Sequence, residues 1–478
     1  MFRAMPPRPD YRPATTHAAL GDEFFDRVDP AVFPKHVLRR RNQRWAARVG
    51  LDTLTDAEWL AHFGAFQPMP GSFPQPLALR YHGHQFRSYN PDLGDGRGFL
   101  FAQLHDLQDG RLLDLGTKGS GQTPWSRFGD GRLTLKGGVR EVLATEMLEA
   151  LGVYTSKSFS LVETGEDLQR NDEPSPTRSA VLVRLNHSHI RIGSFQRFAY
   201  LKQPDNVAHL LDYAIRTYLP EAWRDDPAER AAAFLADVSG RVARLGAEWM
   251  AAGFVHGVLN TDNINITGES FDYGPWRFLP SHDAGFTAAY FDQNGLYAYG
   301  RQPDTLLWNL VRLAECLLPL SSKAALETAL QAFGPQFQRA LDLAVLRRLG
   351  LGPASEEQDA ELAAYWWAFL DASRMGFERA FFDWHGGLGS ARRADAGPAG
   401  EHYAHDAFAP VRAALAGYAP APGVKLDHPY FTGPHPCTML IEEVEAIWAP
   451  IAERDDWSLF AAKLEAIEAM ADAYGTLI

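Results

Sequence analysis

The chain has 478 residues, enough core for a full-sized enzyme in one large domain or a few ordinary ones, which excludes a small stapled scaffold. Lys and Arg number 46 against 59 Asp and Glu, and the net charge of −13 speaks against nucleic acid as a partner outside a local basic groove. Hydrophobic residues at 46% and charged residues at 22% exclude global disorder, and no apolar run is long enough to span a membrane. Two cysteines, Cys316 and Cys437, exclude a disulfide framework and point to a reducing, cytoplasmic setting. The opening MFRAMPPRPDYRP carries Arg3, Arg8 and Arg12 without the apolar stretch of a secretory signal.

The first seventy residues read as helical pieces, LGDEFFDRVDP, KHVLRRRNQRWAARVGLD and LTDAEWLAHFG. In the second piece Arg39, Arg40, Arg41, Arg44 and Arg48 surround Val37, Trp45 and Val49, as on a surface helix packed by its apolar side or one that faces an anion. From Pro76 the texture changes to short apolar runs closed by glycine turns, LALRYHGHQF, GRGFLFAQLHD and GRLLDLGTKGSG, the pattern of antiparallel strands. GGVREVLATEMLEALGV follows as a helix with Val142, Met147, Leu148 and Leu151 on one face; TSKSFSLVETGE and TRSAVLVRLNH return to strand.

Beyond Asp205 the chain turns helical, most clearly from Pro227 to Ala252, where Phe234, Val238, Val242, Leu245 and Trp249 form one stripe. GFVHGVLNTDNINITGESFDYGPWRFL then reads as a polar strand-turn-strand hairpin, and helices fill most of the remainder. The aperiodic stretch from His385 to Pro410 predicts a flexible connection, with a second one in GYAPAPGVKLDHPYFTGPHP. The fold class is therefore α+β, β-rich first and helical second.

Three groups of residues carry chemistry. Lys118 ends a strand-like run and is followed by Gly119, Gly121, Gly129 and Gly131, so backbone and ammonium can both approach a phosphate, although the segment is not a P-loop. Glu141, twenty-three residues on, can hold that lysine as an ion pair, or the two can be routine surface charges. Asp262 and Asn263 follow the long helix, and Asp272 comes ten residues after Asp262. A hairpin of that length brings Asn263 and Asp272 together as hard oxygen ligands for Mg²⁺ or Mn²⁺ and leaves Asp262 to accept a proton; as ordinary turn caps they would do neither. Arg184 and Arg191 are seven residues apart and can share an anion only if the chain turns near Asn186 to Ser188. The turns GDGRG at Gly94 and GDGRL at Gly129 each bring an arginine, Arg97 or Arg132, to a bend that can expose backbone N–H groups. His187 and His189 lack metal-site spacing, and His82, His84 and Tyr89 fit either a nucleotide loop or an aromatic-packed strand end.

YHGHQF, PDLGDGR, LGTKGSGQTPWSRFGDGR, GGVREVLATEML, VRLNHSHIRIGSF and HGVLNTDNINITGESFDYGPWRFL together resemble the selenoprotein O family of protein adenylyltransferases. The resemblance implies a protein-kinase-like fold of two lobes, residues 1–200 forming an N-terminal lobe with a helical extension and residues 201–478 a helical C-terminal lobe. It implies an ATP bound upside down relative to kinases, a divalent cation, and transfer of AMP to Ser, Thr or Tyr hydroxyls of proteins with release of pyrophosphate. On this match Asp262 is the general base, Lys118 and Glu141 are the phosphate-binding pair, and Gly94, Gly96, Arg97, Asp130, Gly131, Arg184 and Arg191 contact the nucleotide. Asn263 and Asp272 are the metal ligands. A kinase or a silent nucleotide-binding scaffold would share much of this set. The chain departs from the family's usual YSGHQFG by His82 and Arg87, and no cysteine follows Cys437.

Overall fold

The computed structural model describes residues 7–171 and 173–476; Arg3 of the leader reading lies outside them. The strands in chain order are β1 (Pro13–Ala14), β2 (Phe25–Arg27), β3 (Val37–Arg41), β4 (Leu77–Leu79), β5 (Gly83–Gln85), β6 (Ser88–Asn90), β7 (Leu100–His105), β8 (Leu112–Lys118), β9 (Leu133–Thr134), β10 (Lys157–Leu168), β11 (Thr177–Asn186), β12 (Phe254–Val255) and β13 (Arg277–Phe278). Among the described residues nine of them form one antiparallel sheet whose main path runs β2, β4, β7, β8, β11, β10, β3. The helices of this half are α1 (Gln43–Arg48), α2 (Asp56–Phe63) and α3 (Leu135–Ala150).

Period-two alternation divides the sheet's side chains between two cores. Leu112, Leu161 and Leu182 point to the core shared with α3, while Leu113, Phe159, Val181 and Val183 point to the core that holds Trp45, Trp59 and Phe63 from α1 and α2. With both faces covered, β8 is buried along its whole length, and its lysine is carried inside with it.

Two of the expected N-terminal helices are strands instead. Phe25 sits opposite Leu79 in the sheet, and Val37–Arg41 pairs with β10, so helix begins only at Gln43. Sheet pairing and burial of Phe24 and Phe25 outweigh local helix preference here. The arginines of β3 bind carboxylates rather than an outside anion: Arg39 to Glu163 at 2.7 Å, Arg40 to Glu146 at 3.0 Å and Arg41 to Asp56 at 3.3 Å. Charge along this edge also guards it against pairing with another chain.

The second half is mainly helical, beginning with α4 (Ile192–Tyr200), α5 (Pro204–Tyr218), α6 (Pro227–Ala251) and α7 (Gln302–Leu317). Asp226 caps α6 by accepting from the Ala228 and Glu229 N–H groups, each at 2.9 Å, and Pro227 occupies the first turn where no donor is needed. The stretch 385–410 is not a flexible connection. It folds into short helical turns that bury Ala394, Tyr403 and Phe408 beside Trp366 and Trp384, aromatic anchors whose spacing follows neither helix nor strand period. The last helix, Ser458–Tyr474, returns to the first half, where Thr476 Oγ1 donates to the Ala150 carbonyl at the end of α3 at 2.8 Å.

Candidate active site

A cleft of about 740 Å³ opens between the sheet and the α6–β13 region. Gly94, Gly96, Arg97, Lys118, Asp130, Gly131, Arg184, Arg191, Asp262, Asn263 and Asp272 all line it, and Glu141 stands behind Lys118.

Lys118, last residue of β8, is paired across the sheet with Leu182, two residues before Arg184 on β11, so both cations emerge from adjacent strands. Lys118 Nζ donates to Glu141 Oε2 at 2.7 Å and to Asp272 Oδ1 at 2.9 Å. Arg184 Nη1 reaches the same two carboxylates at 3.3 and 3.2 Å. Lys118 is 5% exposed and Glu141 fully buried, so they are not a routine surface pair. Two cations and two carboxylates balance locally, the condition under which charges are tolerated in a dry interior.

The segment after α6 brings Asp262 and Asp272 to the cleft, but not as a self-paired hairpin. Only its outer ends pair, β12 with β13; inside, Asn265 bridges to Arg191 and Ser270 to Thr155. The aspartates converge because neighbouring chain segments hold each arm. Asn263 Nδ2 donates to Asp272 Oδ2 at 3.0 Å. β11 ends at Asn186 and α4 begins at Ile192, so the chain turns between the two arginines and both face the cleft. Arg191 Nη1 donates to the Asp262 carbonyl at 3.2 Å, its guanidinium lies 4.1 Å from the Tyr81 ring centroid, and Asp95 Oδ1 is 3.5 Å away.

Asp262 Oδ1 is buried and has no hydrogen-bond partner among the described residues, and a side chain on Gly83 would meet it at 2.8 Å. Burial pushes the Asp262 carboxyl up to about 7, with Arg191 opposing and Asp272 reinforcing the rise. Enclosure pushes Asp272 the same way, but Lys118 and Arg184 overcome it and hold that carboxyl well below its usual range.

Trp125 ties the two GDGR turns together. Its indole N–H donates to Asp26 Oδ2 at 2.9 Å, a side chain at Gly94 would run into its ring, and one at Gly96 would meet its carbonyl oxygen at 2.7 Å. Thr123 and Ser126 hydroxyls donate to the Asp95 and Gly96 carbonyls at 2.5 and 2.6 Å. Gly131 has φ +70° and packs directly on Gly121, where no side chain fits. The turns differ in their arginines: Arg97 is exposed in the cleft, while Arg132 forms a fork with Glu166 at 2.8 and 2.9 Å. Asp130 accepts a similar fork from Arg170 at 2.8 and 3.1 Å.

Sequence reasoning missed Tyr81, Asp95, Trp125, Arg127 and Arg170 as cleft residues. Asp95 and Arg127 stood inside motifs already singled out; Arg170 lies in an aperiodic loop with no signal. His82 and His84 do not line the cleft: His82 Nδ1 meets Tyr89 Oη at 2.8 Å, and Gln196 Nε2 lies 2.7 Å from His84 Nδ1, so the aromatic-packed strand end is what forms. Among the described residues no three His, Cys, Asp or Glu side chains cluster for a metal ion, and no helix is long and apolar enough to cross a membrane.

Mixed sheet and helices, a strand lysine held by a helix glutamate and an aspartate–asparagine pair thus meet at one cleft. The family profile described as protein adenylyltransferase SelO matches residues 9–407, and the chain belongs to that family. It is 54% identical over 342 residues to a protein nucleotidyltransferase YdiU of Synechococcus elongatus, covering 71% of this chain and 68% of the relative. Homologues of the same description from Gloeobacter violaceus, 46% identical over 459 residues, and Trichormus variabilis, 42% over 472, cover 94% and 96% of this chain and 93% and 96% of their own lengths. The activity is protein nucleotidyl transfer.

Proposed function

We propose that the cleft binds ATP between two kinase-like lobes, divided near residue 200, and transfers its AMP to Ser, Thr or Tyr hydroxyls of protein substrates. The observation that carries this reading is the meeting of the buried Lys118–Glu141 pair with Asp272, in one cleft with an Asp262 whose buried Oδ1 has no hydrogen-bond partner among the described residues. Such a site supplies alignment and charge neutralisation, which nucleotidyl transfer needs more than a covalent intermediate.

Lys118, Arg184 and Arg191 take the phosphates of an inverted ATP, with Arg97 and the turns at Gly94, Gly96, Asp130 and Gly131 enclosing the nucleotide. Asp262 accepts the proton of the acceptor hydroxyl as its oxygen bonds to the α-phosphorus. The bond from that phosphorus to the bridging oxygen breaks, and pyrophosphate leaves against the arginines. Asn263 and Asp272, joined by the hydrogen bond from Asn263 Nδ2 to Asp272 Oδ2 at 3.0 Å, would offer a hard divalent cation one amide oxygen and one carboxylate. Bound there, Mg²⁺ or Mn²⁺ supplies neutralisation of phosphate charge. Both cysteines are free and buried, in keeping with work in the reducing cytoplasm.

The test uses ATP labelled separately at the α and γ positions. Label from α on protein supports the reading; label from γ means a kinase, and tight ATP binding with neither means a scaffold.

A further inference from the structure

The hairpin of β5 and β6 lies directly on the base. His84 N–H donates to Thr261 Oγ1 at 2.7 Å, Gly83 faces the Asp262 carboxylate, and Phe86 N–H donates to Asn260 Oδ1 at 3.1 Å. The turn at its tip, Phe86-Arg87, has φ +48° and +63° at two residues that carry side chains. Such turns favour Asn-Gly, and an L-residue with a side chain is strained in the left-handed region. The strain displays an aromatic and a cation beside a catalytic cleft, a place where strain and function coincide.

The aromatic side chain is part of an exposed cluster. Phe86 is 38% exposed, Phe291 46% and Tyr290 84%, with Phe86 and Phe291 ring centroids 5.8 Å apart and Phe291 and Tyr290 5.1 Å apart. The cluster stands on Tyr297, whose ring is 4.9 Å from Phe86 and whose hydroxyl donates to Asn260 Oδ1 at 2.8 Å. Next to it Arg87 and Arg312 both lie over the Trp308 ring, at 5.6 and 4.9 Å, and Arg87 forms no ion pair among the described residues.

We propose that this tip is the docking surface for the acceptor polypeptide, an inference that rests on the transfer reading above. The occupant is an extended segment of the protein substrate with a large apolar side chain about three residues from the modified hydroxyl. Gly83 to Phe86 spans about 10 Å along the hairpin, the length that about three extended residues cover. Arg87 adds a preference for an acidic side chain just beyond. Gln85 of the same hairpin lines the cleft that holds Asp262, and exposed aromatic rings on a fixed base are what anchors such a segment.

The experiment measures transfer from α-labelled ATP to short synthetic peptides, each with one tyrosine and with Phe, Ala or Asp placed about three or four residues to either side. Wild type is expected to favour Phe-bearing peptides through KM, and the double variant Tyr290→Ala, Phe291→Ala to raise KM for them about tenfold with kcat and ATP affinity unchanged. Arg87→Gly is expected to remove only the preference for Asp. Peptide labelling indifferent to flanking residues, or a double variant with wild-type selectivity, overturns the docking surface while leaving the transfer reading intact. ATP binding with no α-label on any peptide or protein overturns both.

Discussion

The Lys118 side and the Asp262 side of the cleft treat the same residue type in opposite ways. Asp272 has Lys118, Arg184 and Asn263 on its two oxygens and stays ionised well below the usual range. Asp262, ten residues earlier, has a buried, unpartnered Oδ1 and is pushed up to about 7. A permanent anion suits a cation ligand, and a carboxyl near neutrality suits a group that takes a proton. Placement of cationic partners, not the identity of the acid, makes the difference.

The harshest way to break this contrast is Asp272→Ala, which leaves Lys118 and Arg184 with Glu141 alone. Transfer from α-labelled ATP is expected to be abolished, and calorimetry should show ATP affinity no longer responding to divalent cation. Transfer that survives would make the loop structural only.

Asp262→Asn separates the two sides. It should keep ATP binding while transfer falls about 10²–10⁴-fold, the scale of general-base help, and extra metal should not restore it. In the wild type, transfer measured against pH should climb through about 7 as Asp262 ionises. Stability runs the other way. The folded state holds this proton up to about 7 whereas the unfolded carboxyl releases it near 3.8, so the folded protein loses stability as pH rises across that window. Denaturant unfolding at pH 8 should therefore find the Asn variant more stable by about 2–4 kcal/mol, with the gap closing by pH 4.

Lys118→Met sharpens the other half. Transfer should drop about 10²-fold through lost phosphate alignment. Asp272, relieved of one cation, should move back toward the ordinary carboxylate range, which carbon-detected NMR titration reads directly. An unmoved Asp272 would assign its ionisation to Arg184 and Arg97.

The smallest effect is expected at Trp125→Phe, which keeps the ring against Gly94 but drops the bond to Asp26. One hydrogen bond is worth about 0.5–1.5 kcal/mol, so KM for ATP should rise by at most about two- to thirteenfold with kcat little changed.

The chain's own order of residues was sufficient for much of this. Period-two runs marked β7, β8, β10 and β11, the 3.6-residue stripe marked α6, and glycine-rich motifs flagged the residues that meet in the cleft, because these patterns are local and each element's burial follows directly from them. The sheet alone decided that 25–27 and 37–41 are strands, since their partners lie some fifty and one hundred and twenty residues away, at Leu79 and Ser160. Tertiary packing likewise ordered 385–410 through Tyr403 and Phe408, and stitched the stretch between β12 and β13 to Arg191 and Thr155, leaving only the outer ends of that segment to pair with each other. It also chose between Arg97 and Arg132, identical in motif, by tying the latter to Glu166 in a fork and leaving the former exposed in the cleft. A carboxyl's charge depends on desolvation and on cations brought from distant strands, so the opposite states of Asp262 and Asp272 exist only once β8, β11 and the loop after α6 have met.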